Sequence, residues 1–281
     1  MMGLADDLGV RLNSGRPGAA RGPNAFREAI SRYGVAHPHG WTWPIVLDAG
    51  DVVPVPGSDA GALDETHRRV TAAVTALLDA GLFPIAIGGG HDLTFPFVRA
   101  VAARWPKLSG LYFDAHLDVR DTPGSGMPFR SLVERCGVRE LRLHGFNPLA
   151  NAREHVEWFR AHGGRIAPSG VDPLMVDDPD ALVPGSTHGD PRAPFPRGDC
   201  FVSFDLDVLD AAHAPGVSAV NPAGWTVAAA ETWAFAAGRN PRVRCFDIME
   251  LNPEYDADGR TARVAAHLFL SFLRGFAERP A

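Results

Sequence analysis

The sequence predicts an α/β protein of three layers, α/β/α, with helices on both faces of a mainly parallel central sheet. Two observations carry that expectation. Short apolar runs with the length of buried strands, at 83–87, 111–113, 141–145, 200–204 and 243–248, alternate with segments whose apolar residues recur at helical spacing. The stretch 83–113 reads strand, glycine turn, helix, strand, a βαβ unit that implies parallel pairing through a right-handed crossover.

Taken in order, residues 1–23 are rich in Gly, Arg and Pro and read as loop. Gly22-Pro23-Asn24 opens a helix with Phe26, Ala29, Ile30 and Tyr33 at helical spacing. Residues 45–51 read as an early strand; Asp48 and Asp51 at its end are given no ligand role, because strand-end aspartates are common. Over 63–80, Val70, Val74, Leu77 and Leu78 fall at helical spacing, and Gly81 is a stop. Strand 83–87, a helix at 95–104 and strand 111–113 follow. Residues 121–130 hold too many turn residues to be anything but a loop. Helix 130–136, strand 141–145 and helix 151–161 continue the alternation. His144, His155 and His162 lack partner spacing and are assigned to surface or core. The Pro- and Gly-rich stretch 179–197, which includes His188, reads as a connection. Strand 200–204, a loop at 211–219, helix 227–238, strand 243–248 and helix 261–276 complete the chain. No internal boundary or repeat is visible, so residues 1–281 are expected to form a single domain.

Composition narrows the function classes. Hydrophobic residues make up 46% and charged residues 21%, ordinary for a soluble globular enzyme. No apolar run approaches the roughly 20 residues of a membrane span, and the N-terminus lacks the basic head and apolar stretch of a signal peptide. A cytoplasmic protein with no membrane partner is expected. A net charge of −6 with no basic block argues against nucleic acid as a partner. Cys136, Cys200 and Cys245 are odd in number and widely spaced, which predicts free thiols.

The chemistry concentrates at three strand ends. Phe113-Asp114-Ala115-His116-Leu117-Asp118 places three ligand-type side chains at alternate positions, so Asp114, His116 and Asp118 share one side if the strand stays extended. Ser203-Phe204-Asp205-Leu206-Asp207 repeats the device with Asp205 and Asp207. Gly88-Gly89-Gly90-His91-Asp92 closes the run before it and leaves His91 at the lip of the sheet. The glycines are not a dinucleotide site, because the G-x-G-x-x-G spacing is absent. In an open α/β sheet, ligands bind beyond the carboxyl ends of the strands. Four carboxylates gathered there would repel one another without a cation between them. Six ligands of this type suit two divalent ions about 3.5–4 Å apart, which lower the pKa of a shared water from about 15.7 toward about 7. The set is rich in oxygen and contains no cysteine, which favours two Mn²⁺ per subunit, with zinc, iron and cobalt as the alternatives.

The motifs GGGHD, FDAHLD and SFDLDVLD, in this order and spacing, resemble the signature of the ureohydrolase family, which includes arginase, agmatinase and formimidoylglutamase; the likeness covers nearly the whole chain. It implies an arginase-deacetylase-like fold and hydrolysis of a C–N bond in a linear amidine or guanidine. It also implies one ion on His91, Asp114, Asp118 and Asp205, and a second on His116, Asp114, Asp205 and Asp207. Asp118 would shuttle the proton to the departing amine. Glu250, in its DxxExNP context, would orient the amidino group. Within the family three features are similar to formimidoylglutamase: Arg120 two residues after the DAHLD motif, the short loop Ser125-Gly126-Met127-Pro128-Phe129, and Ala214-Pro215-Gly216-Val217-Ser218-Ala219. Ala211, Met127 and Val220-Asn221-Pro222 depart from that branch. Arg120 and Ser125 are therefore candidate substrate contacts; Arg120 could instead pair with Asp121 or Glu134. A guanidinium can grip one carboxylate of an anionic substrate bidentately, and N-formimino-L-glutamate is the expected one. The alternatives are another guanidino or amidino compound releasing urea, a metal-dependent deacylase, and a non-catalytic metal binder. By resemblance, a homo-oligomer is expected.

Overall fold

The computed structural model describes residues 1–279 except 35, 37–39, 41, 169–194 and 197. Among the described residues eight strands form one sheet: β1 (Met2–Leu4), β2 (Asp51–Val52), β3 (Ile85–Gly88), β4 (Ser109–Phe113), β5 (Leu141–Phe146), β6 (Arg165–Pro168), β7 (Cys200–Asp205) and β8 (Val243–Met249). Their order is β2-β1-β3-β8-β7-β4-β5-β6, and each neighbouring pair is parallel. The helices are α1 (Leu8–Leu12), α2 (Gly22–Ile30), α3 (Ala60–Asp79), α4 (Thr94–Arg104), α5 (Pro128–Cys136), α6 (Arg153–Ala161), α7 (Val227–Arg239) and α8 (Arg260–Ala277).

Period-two alternation sorts the strand side chains into two cores, one on each face. Ile85, Ile87, Leu111, Phe113, Val202, Phe204, Phe246 and Ile248 pack with Phe26 of α2, Trp233 of α7 and Phe269 and Phe272 of α8. Ala86, Tyr112, Phe201, Cys245 and Met249 pack with Val70 and Val74 of α3, Phe95 of α4, Phe129 of α5 and Phe159 of α6. With both faces covered, the central strands read as continuous apolar runs, which is why they were legible. Asp59 caps α3 by accepting the Ala62 N–H at 2.9 Å, and Thr226 caps α7 by accepting that of Ala229 at 3.3 Å. The α7–α8 contact is close: a Cβ on Gly238 would lie 2.0 Å from Phe272 O, and one on Gly275 2.0 Å from Phe235 O.

Three expectations need correction. Residues 1–23 are not all loop, since they contain β1 and α1. The three-residue β1 is buried between β2 and β3, and is too short for any periodicity to show. The early strand at 45–51 shrinks to Asp51–Val52; Ile45, Val46 and Leu47 lie exposed. Asp48 and Asp51 both bind Arg27, at 2.8 and 2.7 Å, in keeping with their having no ligand role. Strand β6 was not foreseen. The expected connection at 179–197, with His188, lies outside the described residues except for 195 and 196. Cys136, Cys200 and Cys245 are free thiols.

Candidate metal centre

The carboxyl ends of four neighbouring strands, β3, β8, β7 and β4, meet at one cleft. After β3, Gly89 passes so near the N-terminal segment that a Cβ would lie 1.8 Å from Asp6 O, so only glycine fits there. His91 follows in a single tight turn ahead of α4. β4 stops at Phe113. The chain does not continue extended through Asp114, His116 and Asp118 but turns: Tyr112 Oη donates to Leu117 O at 3.0 Å, Leu117 N donates to Asn151 Oδ1 at 2.9 Å, and Asp118 sits at φ +48°. Convergence of the three ligands is therefore the work of a folded loop rather than of strand alternation. β7 delivers Asp205, whose Oδ1 accepts the Asp207 N–H at 2.7 Å. Beyond β8, Glu250 at φ +66° accepts the His91 N–H on Oε1 at 2.9 Å. Of the four non-glycine residues at positive φ among the described residues, Ser14, Asp118 and Glu250 line this cleft. Such costly backbone persists only where its surroundings over-determine it.

The six predicted ligands are brought together. His91 Nδ1 lies 3.1 Å from Asp114 Oδ2, 2.9 Å from Asp118 Oδ2 and 3.1 Å from Asp205 Oδ2. His116 Nδ1 lies 3.3 Å from Asp114 Oδ1 and 2.9 Å from Asp207 Oδ2. Their ligand atoms form two groups, each within 4.8 Å: His91, Asp114, Asp118 and Asp205, then Asp114, His116 and Asp207. Asp114 belongs to both. Asp205, expected in both, falls in the first alone.

The charges are crowded and dry. Burial, then Asp118 and Asp207, push Asp114 up to about 6. Burial, with Asp207 and Asp114, drives Asp205 well above the carboxylate range. Burial also opposes ionisation of Asp207, but His116 outweighs it and holds that carboxyl low. Burial disfavours a charged His91, yet its three carboxylate neighbours raise it well above an ordinary imidazole. Burial lifts Glu250 to about 7 against the pull of Ser218 and the His91 amide. Glu250 Oε2 is fully buried and receives no hydrogen bond, and Asp114 Oδ2, equally buried, has the His91 ring at 3.1 Å but no well-aligned hydrogen bond. Orphaned carboxylate oxygens among like charges are what a bound cation stabilises. The residues fit a pair of divalent ions, and a donor set of carboxylate with imidazole suits manganese.

A second layer holds His91. Its Nε2 lies 3.0 Å from Ser203 Oγ, which donates to Asp247 Oδ1 at 2.6 Å, while Thr94 Oγ1 donates to Asp247 Oδ2 at 3.1 Å. Asp247 and Ser203 are completely buried. This relay fixes the ring so that Nδ1 faces the carboxylates. No spacing in the sequence marked it, although Asp247 opens the context that identified Glu250.

The cleft, about 310 Å³, is bordered by both predicted substrate contacts. Arg120 is exposed at the mouth and donates to Asn13 Oδ1 at 2.7 Å; it pairs with neither Asp121 nor Glu134, and Glu134 binds Arg130 instead. Ser125 accepts from Asn13 Nδ2 at 3.2 Å. Sequence reasoning missed Asn13, Asn151 and His155 on the cleft wall. His155, assigned to surface or core and belonging to neither ligand group, is half-buried on this wall, where α6 carries it by tertiary packing that no local pattern reveals. His144 is a core residue, its ring 4.6 Å from that of Trp233, and His162 stacks on Trp158 at 4.1 Å.

The Arginase family model matches residues 7–274. The chain is 37% identical to the formimidoylglutamase of Aromatoleum aromaticum over 296 residues, spanning 100% of this chain and 84% of that relative. It superposes on the crystal structure of Trypanosoma cruzi formiminoglutamase with two Mn²⁺ at a TM-score of 0.83 and 30% identity, over 99% of this chain and 93% of that one. Proclavaminate amidino hydrolase from Streptomyces clavuligerus is also similar, at a TM-score of 0.81 and 27% identity over 99% and 91% of the two chains.

Proposed function

The chain belongs to the arginase family, and on that premise we propose that it hydrolyses N-formimino-L-glutamate to L-glutamate and formamide. The observation that carries the reading is the presence in one cleft of the six-ligand cluster and, at its mouth, of an arginine held by a neutral side chain. His91, Asp114, Asp118 and Asp205 would hold one Mn²⁺ of the subunit, and Asp114, His116 and Asp207 the other. When bound, such a pair acidifies water and polarises the amidino carbon.

The chain's own groups do the rest. Arg120 grips a carboxylate of the substrate through its guanidinium fork, with Ser125 beside it. Glu250 accepts the amidino N–H groups and fixes the plane of the reacting carbon. Asp118, at the edge of the cluster, takes a proton from water and returns it to the departing nitrogen. The bond from the amidino carbon to the glutamate nitrogen breaks. The carbon gains the water's oxygen and leaves as formamide, and the nitrogen gains a proton and leaves as the amine of glutamate.

The same reading expects one domain over 1–281, a cytoplasmic homo-oligomer, a small anionic substrate, and neither nucleic acid nor membrane as partner. The net charge of −6 supports the fourth point. Among the described residues no helix is long and apolar enough to cross a membrane. A second reading, hydrolysis of another guanidino or amidino compound with release of urea, is favoured by the likeness to the amidino hydrolase of Streptomyces clavuligerus. The test is formamide release from N-formimino-L-glutamate by the Mn²⁺-loaded parent and by Asp118→Asn. The variant should lose at least about a hundredfold in kcat, the scale of general acid–base catalysis; a variant as fast as the parent would remove the proton-shuttle role. Urea from a guanidino acid would establish the second reading.

A further inference from the structure

We propose that Asn13 is a positioning residue that aims the Arg120 guanidinium at the cleft and so sets the preference for substrates carrying a carboxylate away from the amidino group. The inference rests on the anionic-substrate reading above. Asn13 ends α1, and its amide is divided between two residues of the loop that leaves the metal centre. Oδ1 accepts from Arg120 Nη1 at 2.7 Å, and Nδ2 donates to Ser125 Oγ at 3.2 Å. Backbone bonds place that loop independently of the amide: Arg120 N donates to Gly126 O at 2.8 Å, and Ser125 N to Gly9 O at 2.9 Å. The Arg120 side chain runs over Gly126, where a Cβ would lie 3.0 Å from its Cδ and 3.1 Å from its Nε. The loop's path is thus settled by main chain and glycine, and the Asn13 amide selects one rotamer of an exposed, rotamer-rich arginine.

The choice of an amide matters. Among the described residues Arg120 is paired with no carboxylate, so a neutral acceptor holds the guanidinium without cancelling its charge. An aspartate at this position would hold it as firmly and quench it. The other donors of the fork remain available to a substrate carboxylate. Ordering a long side chain before the substrate arrives spares that cost at binding, a factor of roughly three to ten for each side chain immobilised.

The experiment is steady-state kinetics of the full-length, Mn²⁺-loaded protein on N-formimino-L-glutamate for the parent, Asn13→Ala, Arg120→Met and the double variant, with equilibrium binding of L-glutamate measured alongside. Asn13→Ala should raise KM and weaken glutamate binding up to about tenfold while kcat stays within about threefold. In the Arg120→Met background the same change should add nothing, because Asn13 acts through Arg120. An unchanged KM, a loss confined to kcat, or a full penalty that persists without Arg120 would each overturn the proposal. Asn13→Asp preserves shape and acceptor and provides a second route should the alanine variant not fold; its KM should rise at least as far, and a parental KM would count against the proposal. A parent inactive on every anionic amidine overturns the substrate reading and this inference together. A parent that turns over formiminoglutamate while Asn13→Ala matches it overturns this inference alone.

Discussion

Asp247→Asn should weaken manganese binding without weakening the metal-free fold. In the parent, burial lifts the Asp247 carboxyl from 3.8 to about 6. At neutral pH keeping it ionised therefore costs about 3 kcal/mol relative to the unfolded chain, at about 1.4 kcal/mol for each tenfold change in acidity. A raised carboxyl favours the fold below its unfolded value, and that advantage is gone once the pH has passed about 6. Asparagine abolishes the cost but turns an amide N–H₂ toward Ser203 or Thr94, both of which donate to the carboxylate at 2.6 and 3.1 Å. Losing one charge-assisted hydrogen bond costs about 1.5–3 kcal/mol. The two partly cancel, so the metal-free variant should lie between parental stability and about 1.5 kcal/mol above it. Its effect on metal is not cancelled. Ser203 would no longer be fixed against His91 Nε2, and loss of such an outer partner typically costs about 10–100-fold in metal affinity. Chelator-competition titration with Mn²⁺ and urea unfolding of the stripped proteins measure the two quantities separately. Parental manganese affinity, or a stripped variant destabilised by more than about 3 kcal/mol, would refute the reasoning.

Stripping the metal should itself destabilise the parent by several kcal/mol, since saturation at about 100 times Kd is worth about 2.7 kcal/mol, and Mn²⁺ should restore the melting temperature; an unaltered melting curve would deny any link between the ions and the fold. His144 is pushed down to about 4 by burial, with Arg142 adding to the effect. Between about pH 6.5 and 4 the unfolded chain binds this proton and the folded one does not, so stability falls as pH is lowered through that window, by on the order of 3 kcal/mol. The difference between parent and His144→Phe should carry that slope, and parallel curves would contradict it. Gly275→Ala sets a Cβ 2.0 Å from the Phe235 carbonyl and should cost about 2 kcal/mol or more in urea unfolding; a neutral result would mean that α7 and α8 separate easily.

What the sequence revealed and what it hid follow from the range over which each signal acts. β4 and β7 were legible because strands covered on both faces are continuous apolar runs, and because their ligands follow within five residues of the strand end. β1 was hidden by its shortness, though its neighbours bury it completely. The cleft wall was hidden for a different reason. Asn13 meets Arg120 across 107 residues and Ser125 across 112, and no local pattern encodes such a meeting. His155 was passed over because a histidine on an amphipathic helix looks the same whether that helix faces water or substrate. The turn at Asp118 is intermediate: the residue identities were right, but the expected extended geometry was wrong, since three ligands reach a common point more closely by folding the loop than by alternating along a strand.

The most direct test is to offer the Mn²⁺-loaded protein N-formimino-L-glutamate, agmatine, arginine and guanidino acids, and to quantify formamide, glutamate and urea. Formamide and glutamate in equal amounts from N-formimino-L-glutamate, with no urea from the cationic substrates, is the expected result. Urea from a guanidino substrate with no formamide would keep the metal chemistry and contradict the substrate assignment, and no product from any of them would contradict the assignment of this cleft as an amidine hydrolase.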